Sequence, residues 1–170
     1  MTSSIEGNGK SGKIRALVVD DSALMRQMLS DILKSDPRIE VVGTARDGAD
    51  ALAKIGELKP NIVTMDVEMP NMGGLEALER IMKTTPLPVI MVSSLTQEGA
   101  ETTMKALALG CVDFVGKPSG SISLNIRSVG SELIEKVVAA STASVRSLAR
   151  GAGGAGAMRQ QPRPLLESLA

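Results

Sequence analysis

The sequence predicts an α/β domain in which five βα units form a doubly wound, five-stranded parallel sheet. Five short apolar runs mark the strands: Ile14–Val19, Ile39–Val42, Ile62–Met65, Val89–Val92 and Cys111–Val115. Most lack polar/apolar alternation, as parallel strands covered on both faces require. Helical patterns separate the runs, and right-handed crossovers then set helices on both faces of one sheet.

Taken in order, Met1–Gly12 is polar and rich in Ser and Gly, and is expected to be a disordered leader. Its Gly9-Lys10-Ser11 has the form of a P-loop ending, but Ser4 stands where the first glycine belongs and no strand precedes it, so a flexible tail is the preferred reading. After the first strand, Leu24, Met25, Met28, Leu29, Ile32 and Leu33 form an apolar stripe at helical spacing, ended by Asp36-Pro37. Further helices are expected near Ala49–Leu58, Leu75–Lys83 and Glu98–Leu109, the last closed by Gly110. A fifth is expected near Val129–Leu148, with Val129, Leu133, Val137, Val145 and Leu148 on one side. Residues 13–120 then make the core, 121–150 complete the domain, and the Gly/Ala-rich start of 151–170 reads as a flexible linker.

The composition narrows the function classes. A length of 170 residues allows one domain with a substantial core. Hydrophobic residues make up 43%, yet Phe114 is the lone aromatic, so the core must be aliphatic. Lys+Arg and Asp+Glu number 19 each, which gives no bulk charge for nucleic acid or a membrane surface. The single Cys111 rules out an internal disulfide and suits a reducing compartment. No run is long enough to insert in a membrane and the start is unlike a signal peptide, so a cytoplasmic location is expected. The absence of histidine removes histidine-based triads and zinc sites from these residues.

The chemistry gathers at strand ends. Asp20-Asp21 follows the first strand and Asp66 ends the third. In a flavodoxin-like strand order, 2-1-3-4-5, those two strands flank the topological switch point where ligands bind. Three clustered carboxylates repel one another, and a hard divalent cation, Mg²⁺, would relieve that. The fourth strand ends at Ser93-Ser94, offering hydroxyls, and the fifth at Lys117-Pro118, offering an ammonium suited to phosphate. Plainer readings stand beside these. Asp20 or Asp21 would serve as a helix cap near Ser22, Asp66 as a loop acid, and Lys117 as a turn or surface lysine. Their coincidence at one crevice favours phosphoryl transfer to a carboxylate, with Asp66 as nucleophile.

These residues carry a resemblance. From about Lys13 to Gly120 the chain resembles two-component response-regulator receivers, through Val18–Ser22, Met65–Pro70, Met72–Gly74, Ser93 and Lys117-Pro118. More narrowly, Asp20–Arg26, Asp66–Pro70, Met91–Thr96 and Val112–Pro118 resemble the receiver of the chemotaxis protein-glutamate methylesterase (protein-glutamine glutaminase). The resemblance implies that Asp66 is phosphorylated by a sensor histidine kinase, the chemotaxis kinase in particular. It implies Mg²⁺ held by Asp21, Asp66 and the Glu68 backbone carbonyl, with Asp20 acting largely through water. Ser93 and Lys117 would bind the phosphoryl group, and Ser93 with Phe114 would form the switch; Phe114 also reads as a core residue.

The family's hydrolase would lie beyond this stretch and be regulated in cis or trans. No enzymatic activity is expected of these residues themselves, which offer no nucleophile–histidine–acid set. Two rival readings are a stand-alone receiver acting as phosphate sink or partner switch, and a Mg²⁺-dependent phosphohydrolase. The latter commonly needs an Asp-x-Asp nucleophile motif, whereas Asp20 and Asp21 are adjacent.

Overall fold

Side chains on successive strand positions point to opposite faces, and here both faces are apolar. The computed structural model describes residues 12–93, 98–117 and 127–141. Its elements are β1 (Ile14–Val19), α1 (Ala23–Lys34), β2 (Ile39–Ala45), α2 (Gly48–Leu58), β3 (Ile62–Asp66), α3 (Gly74–Thr84), β4 (Val89–Ser93), α4 (Glu98–Leu109) and β5 (Asp113–Gly116). Helix α5, residues 127–141, follows. The five strands form one sheet in the order β2-β1-β3-β4-β5, and every neighbouring pair is parallel.

The alternation sorts the helices. Leu17, Val19, Val63, Met65, Val89 and Met91 face one way and pack with Ala51 and Ile55 of α2, Ala77, Leu78 and Ile81 of α3, and Ala106 of α4. Ala16, Val18, Ile62, Ile90, Val92 and Val115 face the other way, onto Leu29 and Leu33 of α1 and Leu133, Val137 and Ala140 of α5. Both layers are aliphatic, as the near-absence of aromatic residues demands.

Differences from the expected boundaries have local causes. β2 runs on to Ala45 because β1 pairs with it through Val19; a one-residue register shift between Ala16 and Leu17 sets Leu17, Val18 and Val19 against Gly43, Thr44 and Ala45. β5 starts at Asp113, since Cys111 still completes the turn out of α4, its N–H donating to Ala106 O, and Val112 makes the first bond to β4, its N–H donating to Val89 O. Gly110 ends α4 as expected, with φ +115 that a side chain resists. Leu24 departs from the expected stripe and is 67% exposed, while Met25 beside it in the first turn of α1 packs on the core. The expected leader (apart from Gly12), the linker 151–170, Ser94, Pro118 and the expected helix end at 142–148, with Val145 and Leu148, lie outside the described residues.

Candidate functional site

The strand order sets the site. The connection after β1 leads to α1 on one face and that after β3 leads to α3 on the other, which leaves a crevice above the two strand ends. Asp20 and Asp66 are buried there, 0% and 4% exposed, with exposed Asp21 at the rim. One carboxylate oxygen from each of the three lies within 4.8 Å of the others.

Asp20 is held by its backbone as well as its side chain. Its N–H donates to Ala45 O at 3.0 Å, its Oδ1 accepts from the Ser22 N–H at 2.9 Å, and its carbonyl accepts from Arg26 Nη1 at 2.8 Å. The cap of α1 is Ser22, whose Oγ accepts from the Met25 N–H at 3.2 Å. Neither aspartate is therefore the helix cap, and the plainer reading of both gives way.

Lys117 supplies the opposing charge. Its Nζ sits 2.9 Å from Asp20 Oδ2 and 3.2 Å from Asp66 Oδ1. The first contact has ion-pair distance but not hydrogen-bond direction, so buried Asp20 Oδ2 keeps an undirected lone pair toward the site. The lysine backbone is fixed where its N–H donates to Ser93 O at 2.9 Å. Burial, and then the charge of Asp20, push the Asp66 carboxyl up to about 6, against the pull of Lys117. Burial opposes the Lys117 charge, but the neighbouring carboxylates of Asp20 and Asp66 outweigh it and raise its pKa.

The donors fit a hard divalent cation: three carboxylate oxygens, one of them buried without a directed partner, and a rim open to water at Asp21. Mg²⁺ takes oxygen ligands of this kind and retains waters. Glu68 lies two residues past Asp66 in the loop joining β3 to α3, with its side chain exposed. Ser93 ends β4, 9% exposed, one residue past the Val92 that pairs with Asp66. Phe114 pairs with Met91 across β4 and β5 and packs half-buried on the layer shared with α4. The structure thus brings Asp20, Asp21, Asp66 and Lys117 together, with Ser93 at the neighbouring strand end and Phe114 one strand further out.

Sequence reasoning missed two supports. Arg26 is spaced so that the first turn of α1 returns its guanidinium to Asp20 O. Lys136 of α5 donates to Phe114 O at 2.8 Å and pairs with Asp113 at 3.2 Å and Glu132 at 2.9 Å. The Lys136–Glu132 spacing was a readable helix pair; its reach to β5 was not.

Sheet order and convergent acids together define a receiver-type domain. Residues 16–127 match the response regulator receiver domain, and the chain belongs to that family. It is 57% identical over 135 residues to a protein-glutamate methylesterase/protein-glutamine glutaminase of Oceanobacillus iheyensis, covering 79% of this chain and 38% of that relative. The chain thus spans under half the length of the curated relative. It is similar to the response regulator domain of Thermotoga maritima CheB, at 58% identity and TM-score 0.70, covering 76% of this chain and 97% of that one. A complex of the P1 domain of CheA3 with CheY6 from R. sphaeroides also aligns, at 30% identity and TM-score 0.64, covering 78% and 99%. The similarity reaches the receiver of chemotaxis-type methylesterases. Among the described residues, no helix is long and apolar enough to cross a membrane.

Proposed function

We propose that this receiver accepts a phosphoryl group on Asp66 from a sensor histidine kinase, with Mg²⁺, and that the phosphorylated form regulates a chemotaxis methylesterase domain in cis or trans. The observation that carries the reading is the buried Asp20–Asp66–Lys117 cluster, with Lys117 Nζ 2.9 Å and 3.2 Å from the two acids. A carboxyl held near 6 is largely ionised at neutral pH, as a nucleophile must be. An Asp66 oxygen attacks phosphorus, the bond from phosphorus to the donor nitrogen breaks, and an acyl phosphate forms. Asp21, Asp66 and the Glu68 carbonyl would hold Mg²⁺, with Asp20 acting through water, and the ion would neutralise charge on the phosphoryl oxygens. Lys117 exchanges its carboxylate partners for a phosphoryl oxygen, and the Ser93 hydroxyl donates to another.

The aligned P1-domain complex supports a histidine kinase as donor, and the curated relative's name supports the methylesterase output. Incubation with acetyl phosphate and Mg²⁺ should add one phosphoryl group to the wild type and none to Asp66→Asn, read by intact mass. Full labelling of Asp66→Asn would move the acceptor elsewhere.

A further inference from the structure

The loop that follows Asp66 is tied to an element that contributes nothing to the acidic cluster. Asp47, 6% exposed, caps α2: its Oδ1 accepts from the Asp50 N–H at 2.8 Å. Its second oxygen, Oδ2, accepts from Asn71 Nδ2 at 2.9 Å. Asn71 has φ +67, a left-handed conformation that Asn tolerates better than most residues. Next in the chain, the Gly48 N–H donates to Met72 O at 2.9 Å. A side chain at position 48 would meet that carbonyl at 2.8 Å, so glycine admits the approach. The far end of the loop closes on itself, where the Gly74 N–H donates to Val67 O at 2.8 Å. Glu68 lies between these anchors.

We infer that the Asp47–Asn71 pair is a positioning device for the metal site, fixing the direction of the Glu68 carbonyl from the start of α2. The inference rests on the proposed reading of Glu68 as a backbone ligand. A loop peptide free to rotate presents its carbonyl to the cation only part of the time, whereas one held on both sides presents it constantly. Supports outside the ligand set of a metal commonly set its affinity within one to two orders of magnitude. Asp47 is well suited to the task because one carboxylate serves two donors: one oxygen holds the helix and the other holds the loop.

Two variants isolate the second bond. Asn71→Gly keeps access to positive φ and removes the amide. Asp47→Ser keeps a capping oxygen and loses the reach to Asn71. Backbone amide shifts followed during Mg²⁺ titration should show the dissociation constant rising on the order of tenfold in each. Metal-free melting temperatures should fall by only a few degrees. The exchanged pair, Asp47→Asn with Asn71→Asp, restores a donor facing an acceptor and should recover most of the affinity. Unchanged Mg²⁺ affinity in both single variants overturns the inference, as does a loss that the exchanged pair fails to recover. Absence of Mg²⁺ binding by the wild type would instead overturn the underlying reading of the site.

Discussion

At the scale of single residues, Asp66 carries a burden that a metal-free fold does not relieve. Its carboxyl titrates near 6 in the fold, above the ordinary 3.8, because burial and Asp20 disfavour its charge. A raised acid stabilises the fold fully below its unfolded pKa, and that stability is lost as pH rises through the folded value. Metal-free protein should therefore weaken between about pH 4 and pH 6.5. The full shift corresponds to about 3 kcal/mol; solvent at the open rim reduces the expected loss to about 1–2 kcal/mol. Asp66→Asn should flatten this slope and melt a few degrees higher at pH 7 in a chelator. Parallel melting curves for the two proteins across pH 4–8 would refute it. The acids themselves were legible in the sequence because Asp20-Asp21 and Asp66 fall at the ends of the two strands that flank the switch point. The partners of Asp20 were not, since its contacts to Arg26 and Ala45 depend on how α1 and β2 settle.

At the scale of elements, glycines separate the parts that touch the site from those that do not. A Cβ at Gly74, the first residue of α3, would collide with Asp66 O, so that helix begins hard against the end of β3. A Cβ at Gly56 of α2 meets nothing within 4 Å. Gly56→Ala should accordingly stabilise the domain by about 0.5–1 kcal/mol through helix propensity. Gly74→Ala should destabilise it by about 2 kcal/mol or more through backbone displacement. Urea denaturation distinguishes the two signs, and a neutral Gly74→Ala would contradict the packing. Element types were legible, the strands as short continuous apolar runs and the helices as apolar stripes at helical spacing. Boundaries slipped where tertiary pairing decided, as in β2, which continues past Val42 because β1 pairs with it through Val19. Leu24 was misread because a stripe at helical spacing can include a position at its edge that faces solvent, while its neighbour Met25 takes the core.

At the scale of the whole molecule, the two layers meet the site through different strands. Phe114 lies on the α4 face of β5, while Lys136 of α5, on the opposite face, holds the Phe114 carbonyl. On the proposed reading, a phosphoryl group on Asp66 would draw in Ser93 and Lys117, and so act on the ends of β4 and β5 together and on both layers. Amide shifts on beryllofluoride treatment should spread through residues 89–93 and 111–117 and into 127–141. Changes restricted to the neighbours of Asp66 would exclude a global switch. The doubly wound architecture was legible because strand and helix patterns alternate strictly. The Lys136 tie was not, because a surface lysine declares no target until the sheet is assembled.

The scarcity of aromatic residues has a practical result. With no Trp or Tyr and one Phe, the near-ultraviolet circular dichroism of this chain comes from a single ring. That ring sits half-buried beside Met91, one strand from Ser93, which ends β4 next to Asp66. The protein thus carries its own optical reporter at the place where the switch is expected, with no competing background. Dyes, labels and introduced fluorophores become unnecessary for watching it turn.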